Sequence, residues 1–98
     1  MSTANGIALI TGSAQGLGQS IALRLARDGF DIALNDVSSK RDQLRAVADN
    51  IEKIGRRTLV VPADVTVDQE VKEMIQDVVK ELGGLDVVST AARREACS

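Results

Sequence analysis

Histidine, tryptophan and tyrosine are absent from this sequence, and phenylalanine, proline and cysteine each occur once in 98 residues. Without histidine, and with Cys97 as the lone thiol, Cys/His zinc sites, Ser-His-Asp triads and Cys-His dyads each lack a required member. No metal site is assigned, and none of these catalytic classes is open to the chain. An unpaired cysteine beside the C-terminus gives no disulfide framework and fits a reducing compartment. Phe30, as the sole aromatic, provides no stacking platform for bases, and 12 Lys+Arg against 14 Asp+Glu leave a net charge of −2. Neither feature suits a nucleic-acid partner. No apolar run approaches the ~18 residues of a membrane span, and Met1 to Gly6 carries no basic residue. The expectation is a cytoplasmic chain with no membrane partner.

What is present suits a folded domain: 44% hydrophobic and 27% charged residues, at a length of about one small domain. Ile7-Ala8-Leu9-Ile10 is a continuous apolar run, as in a strand buried on both faces of a parallel sheet. Glycines 12, 16 and 18 follow, then Leu17, Ile21, Ala22, Leu25 and Ala26 recur at helical spacing up to Gly29. Asp31 to Asp36 reads as a second strand. The next helix carries Leu44, Val47, Ala48, Ile51 and Ile54 on one face and ends at Gly55. Thr58 to Ala63 reads as a third strand, with Pro62 near its end, where a missing N–H matters less. Thr66 and Gln69 have capping-box spacing and open a helix striped by Val67, Val71, Met74, Ile75, Val78, Val79 and Leu82. Gly83-Gly84 stops it, and Leu85 to Val88 reads as a fourth strand. Arg56-Arg57 reads as part of a solvated loop and Arg93-Arg94 as part of a patternless tail.

Strands alternating with amphipathic helices across short turns imply right-handed crossovers, hence an α/β fold with a parallel sheet between two helix layers. The expected strand order is 3-2-1-4. Ligands of such sheets bind beyond the carboxyl ends of the strands at the switch point, here between strands 1 and 4. The segment Thr11-Gly12-Ser13-Ala14-Gln15-Gly16-Leu17-Gly18 opens onto that crevice. Glycines between a buried strand and a helix permit a tight turn and close backbone approach, and the helix start offers N–H groups and a positive dipole end to a pyrophosphate. The bland reading is a strand-helix connector with nothing bound. No Gly-Lys-Ser/Thr follows, so this is not a Walker A loop, and the spacing also differs from G-x-G-x-x-G.

These residues resemble the short-chain dehydrogenase/reductase family, whose turn reads T-G-x-x-x-G-x-G and matches Thr11 through Gly18 at every fixed position. The resemblance runs from about Ile7 to Val88 and includes Asp36 at the end of strand 2 and Asp64-Val65 at the end of strand 3. It implies a Rossmann-like αβα fold in which Gly12, Ser13, Gln15, Gly16, Leu17 and Gly18 hold the pyrophosphate of NAD or NADP. It also implies that Asp64, with Val65 beside it, meets the adenine. Asp36 stands at the ~20-residue spacing at which a Rossmann carboxylate accepts the ribose hydroxyls and repels a 2′-phosphate. That favours NAD, while Lys40 and Arg41 close by leave NADP open. The alternatives are that Asp36 is a turn or cap residue and that Asp64 only serves the entry of the next helix.

The family pattern breaks at Val88-Ser89. An Asn-Asn-Ala-Gly type segment is expected there, and the sequence reads Thr90-Ala91-Ala92-Arg93. The division is therefore residues 1–88 as a partial NAD(P)-binding domain and 89–98 as a non-matching tail, such as a retained intron or shifted frame would encode. The family's catalytic Ser and Tyr-x-x-x-Lys lie further on and have no counterpart here. Two functions are implied. One is the cofactor-binding part of an oxidoreductase that interconverts alcohols and ketones by hydride transfer. The other is a non-catalytic nucleotide-binding or interaction module that joins full-length subunits through its helices or the exposed edge of strand 4. That edge also implies a marginal or partner-dependent fold.

Overall fold

The computed structural model describes residues 5–90. Four strands, β1 (Gly6–Thr11), β2 (Phe30–Leu34), β3 (Thr58–Val60) and β4 (Val87–Thr90), form one sheet in the order β3-β2-β1-β4. All three pairings are parallel, with Leu9 opposite Ala33 and Val88, and Ala33 opposite Leu59. Between the strands run α1 (Gly16–Arg27), a short 3-10 turn over Ser38–Lys40 leading into α2 (Arg41–Ile54), and α3 (Asp68–Leu82). The α/β class and the strand order are those the sequence predicts. The tail assigned to residues 89–98 lies outside the described residues from position 91 onward, with the Ala91-Ala92-Arg93 segment and Cys97 in it; β4 itself continues through Ser89 and Thr90.

Alternation along β1 divides the core into two layers, because successive side chains of a strand point to opposite faces. Ala8 and Ile10 pack with Ile32 and Leu34 beneath α1 and α2, while Ile7 and Leu9 pack with Ala33 beneath α3. On the inner face of α1 the buried residues are Gly18, Ala22 and Ala26, small enough to bring the helix close against β1 and β2. Leu44, Val47, Ala48 and Ile51 of α2 fill the rest of that layer. Met74, Val78 and Leu82 of α3 fill the other.

Four local expectations are corrected. The third strand pairs regularly only over Thr58–Val60, yet the Val61 and Ala63 N–H groups still donate to Leu34 O (2.9 Å) and Asp36 O (3.0 Å). Pro62, lacking an N–H, falls between them on the outward side of an edge strand, where no ladder bond is lost. The Thr66–Gln69 capping box does not form. The helix begins after Val67, the Thr66 hydroxyl donates to Asp64 Oδ1 (2.6 Å), and Gln69 donates along the helix to Glu73. Glu70 supplies the reach-back instead, accepting the Asp64 N–H at 2.8 Å. The stripe on α3 is narrower than its periodicity suggests, since Val67, Ile75 and Val79 are exposed.

The fourth correction concerns Arg56-Arg57, which lies in a loop as read but is not merely solvated: Arg57 is exposed, Arg56 is not, and both are paired. Both guanidiniums close on Asp31 at the start of β2, with Arg56 Nη2 3.1 Å and Arg57 Nη2 2.9 Å from its carboxylate. Arg57 also donates to Leu82 O (2.9 Å), so a single ion cluster joins the entry of β2, the approach to β3 and the end of α3. It lies at the amino end of the sheet, opposite the glycine turn.

Candidate functional site: the glycine turn and the carboxyl ends of β1 to β3

The turn between β1 and α1 is shaped by its glycines. Gly12 (φ 66°) and Gly16 (φ 62°) occupy the left-handed region, which a Cβ disfavours. Gly18 is needed for a different reason: a Cβ there would stand 2.1 Å from Gly12 O and 2.7 Å from its carbonyl carbon. The turn is thus folded directly onto the first turn of α1.

Gln15 is the N-cap residue, and its side chain makes no capping bond to the helix. Its Oε1 instead accepts from Lys40 Nζ (3.2 Å) and Gln43 Nε2 (3.1 Å), which carries it across to α2. The first intrahelical bond is Gln19 N–H to Gln15 O, so the N–H groups of Gly16, Leu17 and Gly18 precede it. No acidic residue stands in the first turn to offset the positive end of the dipole. Nothing lies within 4 Å of the position a Gly16 Cβ would take. The helix start is therefore open, positive and rich in donors, and it fits a phosphate group.

Two clefts meet here. One, of about 290 Å³, is lined by Gly12, Gln15, Gly16, Leu17, Gly18, Asp36 and Lys40. The other, of about 240 Å³, is walled by Asn35, Val37, Ala63, Asp64, Val65 and Thr66 and shares Gly12 and Asp36 with the first. Leu17 is 68% exposed at the rim of the first cleft, and Val37 and Val65 (44% and 43%) flank the second as an apolar pair. Exposed aliphatic side chains on opposite walls of a slot suit a flat ring system, with the polar backbone at the edges available for its heteroatoms. Of the two cations adjacent in sequence, Lys40 lines the first cleft, whereas Arg41 lines a separate one with Glu70, Glu73 and Asp77.

Asp36 sits at the junction. Its Oδ2 accepts the Ala14 N–H (3.3 Å) and its Oδ1 the Val37 N–H (2.9 Å), so it ties the glycine turn to the end of β2 while facing both clefts. Asp64 Oδ1 accepts both the N–H (2.9 Å) and the hydroxyl of Thr66. The Thr66 hydroxyl and N–H hold the Asp64 carboxyl below its ordinary value of 3.8. Ser13 is the one sequence candidate whose side chain faces inward. It is fully buried, its hydroxyl donating to Asn35 O (3.1 Å) and accepting the Asn35 N–H (3.0 Å). Sequence reasoning passed over Asn35, the residue that follows β2, which holds Ser13 and lines the second cleft; a single buried amide leaves no signature in spacing.

An all-parallel 3-2-1-4 sheet with a glycine turn at the carboxyl end of β1 and a carboxylate at the end of β2 defines a Rossmann-type unit. Comparison with known proteins gives the family. The sequence model of the short chain dehydrogenases matches residues 6–96, and the chain belongs to that family. A short-chain dehydrogenase/reductase of Armillaria gallica is 51% identical over 82 residues, covering 84% of this chain and 31% of the relative. Among solved structures, a dehydrogenase/reductase of Sinorhizobium meliloti superposes with a TM-score of 0.85 at 35% identity, over 93% of this chain and 36% of the other. Carveol dehydrogenase of Mycobacterium avium, solved in complex with NAD, gives a TM-score of 0.80 at 31% identity, over 88% of this chain and 35% of the other. The chain thus spans about a third of the length of the relatives it matches. Among the described residues, no group of side chains could hold a metal ion, and no helix is long and apolar enough to cross a membrane.

Proposed function

We propose that this chain binds NAD as the cofactor-binding part of a short-chain oxidoreductase. The observation that carries this reading is the pair of clefts joined at Gly12 and Asp36. The pyrophosphate would lie on the N–H groups of Gly16, Leu17 and Gly18, the adenine between Val37 and Val65 beside Asp64, and the ribose hydroxyls on the Asp36 carboxylate. A bound nicotinamide cofactor supplies hydride transfer between alcohols and ketones; this chain's residues grip and orient its adenosine diphosphate half. With no tyrosine in 98 residues, the chain lacks the family's proton-transferring side chain, and we expect no turnover by it alone. A second reading, a non-catalytic module that associates with full-length subunits, draws support from Val88, 53% exposed on β4 at one edge of the described sheet. Turnover of secondary alcohols by the 98-residue chain with NAD would remove the second reading and the expectation of no turnover with it, whereas co-elution of the chain with a full-length family member would favour the second.

Calorimetric titration tests the shared premise, with one NAD bound per chain and NADP bound more weakly. The Asp36 carboxylate sets the order, because a 2′-phosphate placed at the ribose would meet its charge across the junction while Lys40 offsets only part of that repulsion. Asp36→Asn keeps an acceptor for one of the two backbone N–H groups and removes the charge. It is expected to weaken NAD by roughly 1.5–3 kcal/mol, the worth of a hydrogen bond to a charged group, and to bring NADP level with it. An unchanged NAD-to-NADP ratio in that variant would remove Asp36 from the ribose site.

A further inference from the structure

Asn35 is 1% exposed, and its polar atoms tie four segments together. Its N–H reaches Ile10 O (3.0 Å) at the end of β1 as well as Ser13 Oγ (3.0 Å), and its carbonyl accepts the Ser13 N–H (2.9 Å) in the glycine turn. Its side-chain amide reaches the chain that continues β3 beside it, donating from Nδ2 to Val61 O (2.9 Å) and Ala63 O (3.3 Å). These two carbonyls flank Pro62, beyond which the chain leaves the sheet for the Asp64-Val65 wall of the second cleft. A single backbone bond, Ala63 N–H to Asp36 O (3.0 Å), joins that departing segment to the end of β2; the Asn35 amide is the other link. Both ends of Asn35 are thus committed, one to the glycine turn and one to the opposing wall.

We propose that Asn35, which itself lines the second cleft, is a positioning residue that sets the separation of that cleft's two walls and so the affinity for the adenine ring. This rests on the nucleotide reading above and assigns a cause to part of it. A buried amide donating two hydrogen bonds is rigid, because giving up either one in a dry interior leaves a polar atom unpaired. The slot between Val37 and Val65 therefore keeps its width before a ligand arrives, and binding does not have to order the Asp64-Val65 segment.

ADP and inorganic pyrophosphate separate this role from a general contribution to folding, since both can occupy the glycine turn and only ADP needs the slot. In Asn35→Ala, ADP binding is expected to fall about tenfold while pyrophosphate binding stays within about twofold. As a control, Asp31→Asn at the opposite end of β2 should lower the melting temperature and leave the ADP-to-pyrophosphate ratio unchanged. A measurement on unaltered protein covers the case in which Asn35→Ala does not fold. The Asn35 side-chain NH₂ resonances in a ¹⁵N-resolved spectrum should shift with ADP and not with pyrophosphate. Equal loss of both ligands in folded Asn35→Ala, or NH₂ resonances indifferent to ADP, overturns the role of Asn35 alone. Unaltered protein that binds neither ligand overturns the nucleotide reading and this one with it.

Discussion

Asp31→Ala should cost the fold about 3 kcal/mol, the low end of what breaking a buried ion pair costs. Asp31 is 1% exposed and accepts the Arg57 N–H (3.0 Å), Arg57 Nε (3.0 Å) and Arg56 Nε (3.1 Å). Removing the carboxylate leaves two guanidiniums and a backbone N–H without their shared acceptor. The low end applies because the Arg57 side chain is 59% exposed, so water takes over part of its charge, whereas Arg56 is only 12% exposed. Small domains are stable by roughly 5–15 kcal/mol, so this loss is a large fraction of the whole. The same cluster gives a pH dependence. Burial by itself would raise the Asp31 carboxyl, but the Arg57 N–H and the guanidiniums of Arg57 and Arg56 outweigh it, and the carboxyl lies below its ordinary value of 3.8. A carboxyl lowered on folding contributes stability in full above its unfolded value and loses it as pH falls from there through the folded one. Urea unfolding of the native chain should show this part of its stability intact at pH 7 and declining below about pH 4. The gap between native chain and Asp31→Ala should narrow over that same interval. A gap independent of pH down to 2 would mean that the ion pair is not what the variant removes.

The sequence made the glycine turn legible for the same reason that it made Asp31 illegible. Gly12, Gly16 and Gly18 answer local requirements of backbone sign and space, met within a segment of a few residues, and the chain writes such requirements as a spacing. The alternation of Ala8 and Ile10 against Ile7 and Leu9 is local in the same sense. Asp31, by contrast, is defined by Arg56 and Arg57, and Asn35 by Val61 and Ala63, all more than twenty residues away. In the linear chain Asp31 is one polar residue opening a strand, and Arg56-Arg57 is a charged pair after a helix-ending glycine, so each reads as solvated until β2 and β3 are laid side by side. The Thr66–Gln69 box failed on a nearer competition. Asp64 lies two residues before Thr66 and captures its hydroxyl, which leaves the reach-back to Glu70. On α3 the periodicity recovered Met74, Val78 and Leu82, but a stripe alone does not reveal how wide a face the sheet covers, and Ile75 and Val79 fall beyond it.

Gly18→Ala should be the most damaging single methyl group in the site, and its comparison with Gly16→Ala shows why. The atoms a Cβ at position 18 would meet are all backbone: Gly12 O at 2.1 Å, Gly12 C at 2.7 Å and Ser13 Cα at 3.1 Å. No side chain can rotate aside, so the turn from Gly12 to Ser13 must lift away from α1. Ser13 is held to Asn35 by three hydrogen bonds, which resist that movement. Overpacking of this kind costs about 1–3 kcal/mol and sometimes more, and the displaced turn would no longer present the Gly16, Leu17 and Gly18 N–H groups together. Both stability and nucleotide affinity should therefore fall, with NAD binding lost from a calorimetric titration. Position 16 reverses the balance. No atom lies within 4 Å of the added methyl, so the apo protein bears only the left-handed strain at φ 62°, roughly 1–2 kcal/mol. The methyl would project into the open space over the helix start, where the phosphates approach. Gly16→Ala should thus remain folded, with a small drop in melting temperature, and lose NAD affinity out of proportion to it. If Gly16→Ala bound NAD as the native chain does, the phosphates would not lie over this helix start, whatever became of Gly18→Ala.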